Sequence, residues 1–430
     1  FKSIATDPQY DEDTKKCAAF LVSYLNEIGL EAMSWETSKQ PVIFAKNTAA
    51  GKDCPTLLIY QHYDVQPVDP LDLWESDPFK PTIREGKVYA RGAQDNKGQC
   101  FYTITALKAL LEESKSLNFN LKLFIEGEEE SGSTGTLEII KQKKEELRSD
   151  YLLVVDCGIP GPDIPAITLG MRGILTMDLE VRTADSDMHS GSMGGVAYNP
   201  IRALSHALAK CWDENGKIAI PHFYDEVQDL SPEEKKAFDF IMDEKMVRKE
   251  FGLKALCPDP GYLIGESVSI RPTLEINGIN GGYTGEGFKT VLPAVATAKI
   301  SCRLVPDQDP EKVFANFKKH LENHLPEGAA LTIVKEHGSS AFRCNVHSLI
   351  AKRAAKAYEE VMGKPCKSIL GGGSIPIIGE LAQASGADVV AMGYGLDSDH
   401  IHAPNEHFGL DRFEQGFLTI GNLLKQFHVG

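Results

Sequence analysis

Apolar positions in the first third of the chain follow two alternating patterns. Residues 15–28 carry Ala18, Leu21, Leu25 and Ile28 at helical spacing, with Gly29 as the stop. Residues 98–111 repeat that spacing, with Ile104, Leu107 and Leu111 on one face. Around these helices stand three short apolar runs of one build: 56–65 (TLLIYQHYDV), 122–131 (KLFIEGEEES) and 151–158 (YLLVVDCG). Each closes on polar or acidic residues. Unbroken apolar strands separated by helices predict a mostly parallel sheet covered on both faces, an α/β fold. Such sheets bind ligands at the carboxyl ends of their strands. His62, Asp64, Glu129, Glu130 and Asp156 fall at that edge.

The pattern changes near residue 170. Residues 174–183 and 297–306 alternate like half-exposed strands, and 199–212 and 310–325 read as amphipathic helices, the first with Pro200 at its start. These predict a smaller α+β domain with one solvent-facing sheet. Residues 225–251 are dense in charge and helical in composition. From about residue 345 the first style returns: a helix over 348–362, a Gly-rich loop, a strand over 387–395 and a last helix over 411–427. The simplest organisation is an α/β/α domain made of residues 1–170 and 343–430, interrupted by an inserted domain at 171–342.

Composition narrows the classes. The chain has 430 residues, 42% of them hydrophobic and 25% charged, which excludes collagen-like, disordered and coiled-coil readings. No apolar run approaches the ~20 residues of a membrane span. The formal net charge of −16 argues against nucleic acid and anionic membranes as partners. The nine cysteines are an odd number with no CxxC pair, which points to reduced thiols in the cytoplasm. No signal peptide is legible; because the chain opens at Phe1 and not at Met, a preceding piece is expected.

Five segments concentrate imidazole and carboxylate: HYD (62–64), QDNKG (94–98), EGEEESGS (126–133), VVDCG (154–158) and HIHAPNE (400–406). A lone histidine is more often structural than a ligand, and an acid run is more often solvated surface. Jointly the case is stronger, because acids that end buried strands need a shared reason, and a cation cluster supplies one. A two-metal site needs a bridging carboxylate and terminal His and carboxylate ligands. His62, Asp95, Glu130, Asp156 and His402 provide that inventory. Asp64, two residues after His62, is placed to hold the ring nitrogen that faces away from a metal.

The ordered set HYDVQP (62–67), YARGAQDNKGQ (89–99), EEESGS (128–133), DMHSG (187–191), GGGSIP (371–376) and HAPNE (402–406) resembles the dinuclear metallopeptidase family of carnosinase. That family also contains carboxypeptidase G, peptidase T, succinyl-diaminopimelate desuccinylase and acetylornithine deacetylase. Asp95 lies 33 residues after His62 and Glu130 35 after Asp95, as in the carnosinase-like branch. The resemblance implies two divalent ions, zinc first and manganese or cobalt as alternatives. His62 and Asp156 would hold one ion and Glu130 and His402 the other, with Asp95 bridging. Glu129 would be the general base. His189 would stabilise the oxyanion from the neighbouring subunit, which implies a homodimer built through the inserted domain. Arg303, Thr290 and Ser374 would grip a substrate carboxylate. The implied reaction is hydrolysis of dipeptides, with deacylation of N-acyl amino acids as the alternative. Two positions depart from the family pattern: Asn96 stands where it usually has Asp after the bridging residue, and Gln61 where it has Gly before the first His. The second is expected to narrow the backbone approach beside the metal.

Overall fold

The strand Thr56–His62 lies inside the larger sheet, and its neighbours explain where a site can form. Asn120–Glu126 and Tyr151–Val155 flank it, both parallel to it. The chain thus leaves Thr56–His62 for one side and crosses back to the other, a topological switch point where strand ends open a crevice. Asp388–Met392 continues the parallel set beyond Tyr151–Val155. The computed structural model describes residues 1–430 apart from Lys115, Ser374, Pro376, Gly430 and the side chains of Glu250 and Val429.

Both faces of this sheet are covered. Leu57 and Ile59 point into a core shared with the helices Asp11–Glu27, Lys97–Glu113, Leu349–Met362 and Leu410–Val429. Leu58 and Tyr60 point the other way, against Thr134–Gln142 and Ile378–Ser385. Burial on both sides is why the strand reads as an unbroken apolar run. The sheet is parallel at its centre and antiparallel toward its margins. Glu31–Trp35 and Val42–Asn47 pair antiparallel, and Val42–Asn47 joins Asn120–Glu126 in the same sense. The few residues between those first two strands are too short for a parallel crossover. At the other margin Ala166–Met171 pairs antiparallel with Asp388–Met392 and Phe342–Arg343, and parallel with Lys367–Gly371.

A second sheet is built from later residues. Its four strands run in the order Thr273–Gly281, Val295–Leu304, Gly173–Arg182, Ala330–Ser339, all antiparallel. Gly173–Arg182 alternates buried and half-buried positions, so Leu175, Met177, Leu179 and Val181 meet the helices Pro200–Ala209 and Pro310–His324 on one face. Asn199 caps the first helix by accepting the N–H of Ile201 and Arg202.

Residues 225–251 do not form the long helix their composition suggests. Two short helices, Pro232–Ala237 and Glu244–Glu250, stand there instead. Between them Phe238 turns extended and is buried at 8% exposure against the larger core. Asp239 then joins the strand Lys367–Gly371: its N–H donates to the Ser368 carbonyl, and its carboxylate accepts the Ser368 N–H at 3.1 Å and pairs with Lys367. Burial of one aromatic ring and this strand-like pairing override helix propensity.

Candidate metal centre

His62 is the last residue of its strand and is 1% exposed. Its Nε2 lies 3.1 Å from Asp95 Oδ1 and 3.4 Å from Asp156 Oδ1. Asp156 follows the strand Tyr151–Val155, so strand pairing alone sets it beside His62. Asp95 arrives from the loop before the helix Lys97–Glu113, and its peptide bond to Asn96 is cis. The other carboxylate oxygen of Asp95 lies 3.0 Å from His402 Nε2, and Glu130 Oε1 lies 3.3 Å from the same nitrogen. Two groups of possible ligand atoms result, His62–Asp95–Asp156 and Asp95–Glu130–His402, with Asp95 common to both.

The three consecutive acids divide their work. Glu128 turns away and caps the helix Thr134–Gln142, accepting from the N–H of Gly135 at 3.0 Å and of Thr136 at 2.8 Å. Glu129 and Glu130 begin a short turn whose place is fixed by Asp64. One Asp64 oxygen accepts the Glu129 N–H at 3.2 Å and the other the Glu130 N–H at 3.0 Å. Asp64 Oδ1 is also 3.3 Å from His62 Nδ1, so the same carboxylate orients the imidazole from behind.

The electrostatics show a site short of positive charge. Burial pushes the Glu129 carboxyl well up, reinforced by Asp156, Glu130 and Asp95 and opposed by His62. Burial likewise raises Asp156 and Glu130. Burial would raise Asp95 too, but its hydrogen bonds to His402 and His62 hold it below the usual carboxylate range. Hydrogen bonds to Asp95 and Glu130 raise His402 to about 10. His62 is driven well up by its acidic neighbours against burial. The donor set, imidazole plus carboxylate, suits divalent zinc or manganese.

The remaining predicted residues lie away from this cluster or outside the described residues. His189 and Thr290 come together on the smaller body, with His189 Nε2 3.4 Å from Thr290 Oγ1 and the two-residue strands Met188–His189 and Val291–Leu292 paired. Both are exposed, and the contacts described for His189 stay within that body. Arg303 sits on Val295–Leu304 opposite Thr273. Burial first, and then the charge of Arg303, lowers Arg172 to about 10. Arg172 also donates at 2.9 Å to the Gly372 carbonyl, in the GGGSIP loop. Ser374 lies outside the described residues. Gln61 does not crowd the site: its amide turns to Thr103 Oγ1 at 3.2 Å on the neighbouring helix, because alternation along the strand sends it to the opposite face from His62.

Four further residues support the cluster from around it, and of these only Asn96 stood out in the sequence, as a departure from the family pattern. Gln66 donates to Glu130 Oε2 at 2.7 Å, and Asn96 donates to Asp156 Oδ1 at 2.6 Å. Glu406 and Arg91 form a buried pair at 2.7 Å. All four stand inside the quoted motifs, which was the available signal.

A profile of Peptidase family M20/M25/M40 matches residues 58–426. The chain belongs to that family. Among M20-type relatives, the Cys-Gly metallodipeptidase dug1 of Schizosaccharomyces pombe is 31% identical over 91% of this chain and 83% of its own. The Beta-Ala-His dipeptidase of Homo sapiens is 30% identical over 96% of this chain and 85% of its own. Among solved structures, an M20 family metallo-carboxypeptidase from Sulfolobus solfataricus superposes with a TM-score of 0.89 at 33% identity, covering 100% of this chain and 97% of the other. Membership of M20 makes this chain a metallopeptidase and brings divalent-metal binding with it. Among the described residues no helix is long and apolar enough to cross a membrane.

Proposed function

We propose that the chain is a two-metal exopeptidase that hydrolyses dipeptides carrying a free carboxylate. The observation that carries this is the double engagement of Asp95, one oxygen 3.1 Å from His62 Nε2 and the other 3.0 Å from His402 Nε2. His62, Asp95 and Asp156 would hold one ion, and Asp95, Glu130 and His402 the second, with zinc favoured and manganese or cobalt accepted. Ions bound there would lower the pKa of a shared water and polarise the scissile carbonyl. Glu129 would serve as general base, taking a proton from the attacking water and giving it to the leaving amine. Its raised affinity for protons, from burial and acidic neighbours, suits that task. Asp64 keeps His62 and the Glu129 turn in place throughout.

His189 donates to the developing oxyanion in the site of a partner subunit, and Arg303, Thr290 and Ser374 grip the substrate carboxylate. The exposure of His189 and the neighbouring apolar surface support a dimer through residues 171–342. Thr273–Gly281 is an edge strand with Ile279 exposed, and Phe288 after it is 89% exposed. The nine cysteines, all free, support a cytoplasmic setting.

The relatives named as dipeptidases favour dipeptides over N-acyl amino acids. A panel of both classes tests this with purified, metal-loaded enzyme. Turnover should be confined to or strongly favour dipeptides with a free C-terminal carboxylate. Preference for N-succinyl or N-acetyl amino acids would transfer the chain to the deacylases.

A further inference from the structure

The loop that carries Asp95 is wrapped around one side chain from the far end of the chain. Glu406 is completely buried. Its Oε2 accepts Arg91 Nη1 at 2.7 Å and the Gly92 N–H at 2.9 Å. Its Oε1 accepts the N–H of Gln94 at 3.0 Å and of Asp95 itself at 3.1 Å. The Glu406 carbonyl accepts the Ala90 N–H at 3.1 Å, so both its main chain and its side chain hold residues 90–95. Four residues earlier on the same loop stands His402, whose ring meets Asp95 Oδ2. Asn405 fastens that loop further, donating to the Leu73 carbonyl at 2.9 Å and accepting the Glu75 N–H at 2.9 Å.

We infer that Glu406 is a positioning residue that fixes Asp95 relative to His402 and so sets the spacing of the two cation sites. The inference rests on the metal reading proposed above. A carboxylate has the lone pairs to accept all four donors at once. An amide would turn NH2 toward two of them, and a shorter acid would not reach both ends of the loop. Displacing Asp95 matters more than displacing any other ligand, because both cation sites use it. Ligand geometry of this kind must hold within about 0.5 Å, and residues behind the ligands typically contribute ~10- to 100-fold in metal affinity.

The test is calorimetric titration of zinc into chelator-stripped protein, with circular dichroism to count folded molecules and a melt of the metal-free form. Wild type should take two ions per chain. Glu406→Gln should take zinc ~10- to 100-fold more weakly per folded molecule. Asp259→Asn breaks a part-buried ion pair with Arg271, outside the ligand cluster, and should lower the melting temperature while leaving the zinc isotherm unchanged. Arg91→Lys keeps the charge and the three backbone donors and should also leave the isotherm near that of wild type. If Glu406→Gln binds zinc like wild type and only melts earlier, the residue is structural and the inference is overturned while the metal reading stands. Should Glu406→Gln not fold, Glu406→Asp takes its place with the same expected loss. Failure of both to fold, or wild-type affinity in either, counts against the inference. A wild type that takes no zinc would sink the metal reading itself.

Discussion

Glu129 and Glu126 lie three residues apart yet meet opposite demands. Glu129 faces the acids and imidazoles of the centre, and its substitution should separate chemistry from metal binding. Glu129→Gln is expected to keep its metal content and lose activity by ~100- to 10,000-fold, as removal of a general base does; metal analysis beside steady-state rates reads both. Activity within a few-fold of wild type would remove Glu129 from the mechanism. Glu126 lies beneath it, fully buried, with Tyr60 Oη donating to one oxygen at 2.6 Å. Burial raises its carboxyl to about 7 from 4.5. The neutral form is therefore favoured in the fold, and the stability it confers is complete below about 4.5 and lost as pH rises through about 7. At ~1.4 kcal/mol per unit this is on the order of 3 kcal/mol. Denaturant melts of metal-free protein should show Glu126→Gln gaining on wild type across that window and level above it. Parallel profiles would contradict the assignment. At this scale His62, Asp95, Glu130, Asp156 and His402 were legible from ordered motifs. Glu406 was not, although it stands in one of them, because its role consists of accepting backbone N–H groups some 311 residues away, which no spacing records.

Among the elements, the turn Glu129–Ser131 depends on a residue outside it. Both of its leading N–H groups end on Asp64, which also faces His62. Asp64→Asn should thus weaken metal binding and turnover together, by ~10- to 100-fold, measured by zinc titration and kcat/KM. Loss of turnover with an unchanged zinc isotherm would confine Asp64 to the turn. The central strands and most of their covering helices could be read in advance, since a strand buried on both faces has a continuous apolar run and an amphipathic helix has its period. Residues 225–251 could not, because Phe238 and Asp239 take their conformation from a strand more than a hundred residues later. The strand Thr273–Gly281 was equally hidden. It lies at the edge of its sheet, largely exposed, and has no alternation to betray it.

On the scale of the whole molecule, the cluster of candidate ligands stands at the strand ends of the larger sheet, while His189 and Thr290 stand together on the smaller one. The dimer proposed above, with His189 of one chain at the centre of another, would join the two. Mixing His189→Ala and Glu129→Ala subunits should then restore hydrolysis, since one site in each mixed dimer has an intact Glu129 and an intact His189. Mixed dimers that form and stay inactive would assign His189 a local role. The account rests above all on Asp95 lying between two cations. Anomalous diffraction from zinc-soaked crystals at the zinc edge measures that directly. Two peaks ~3.5–4 Å apart, one beside His62 and Asp156 and the other beside Glu130 and His402, are the expected result; a single peak, or peaks away from Asp95, would contradict it.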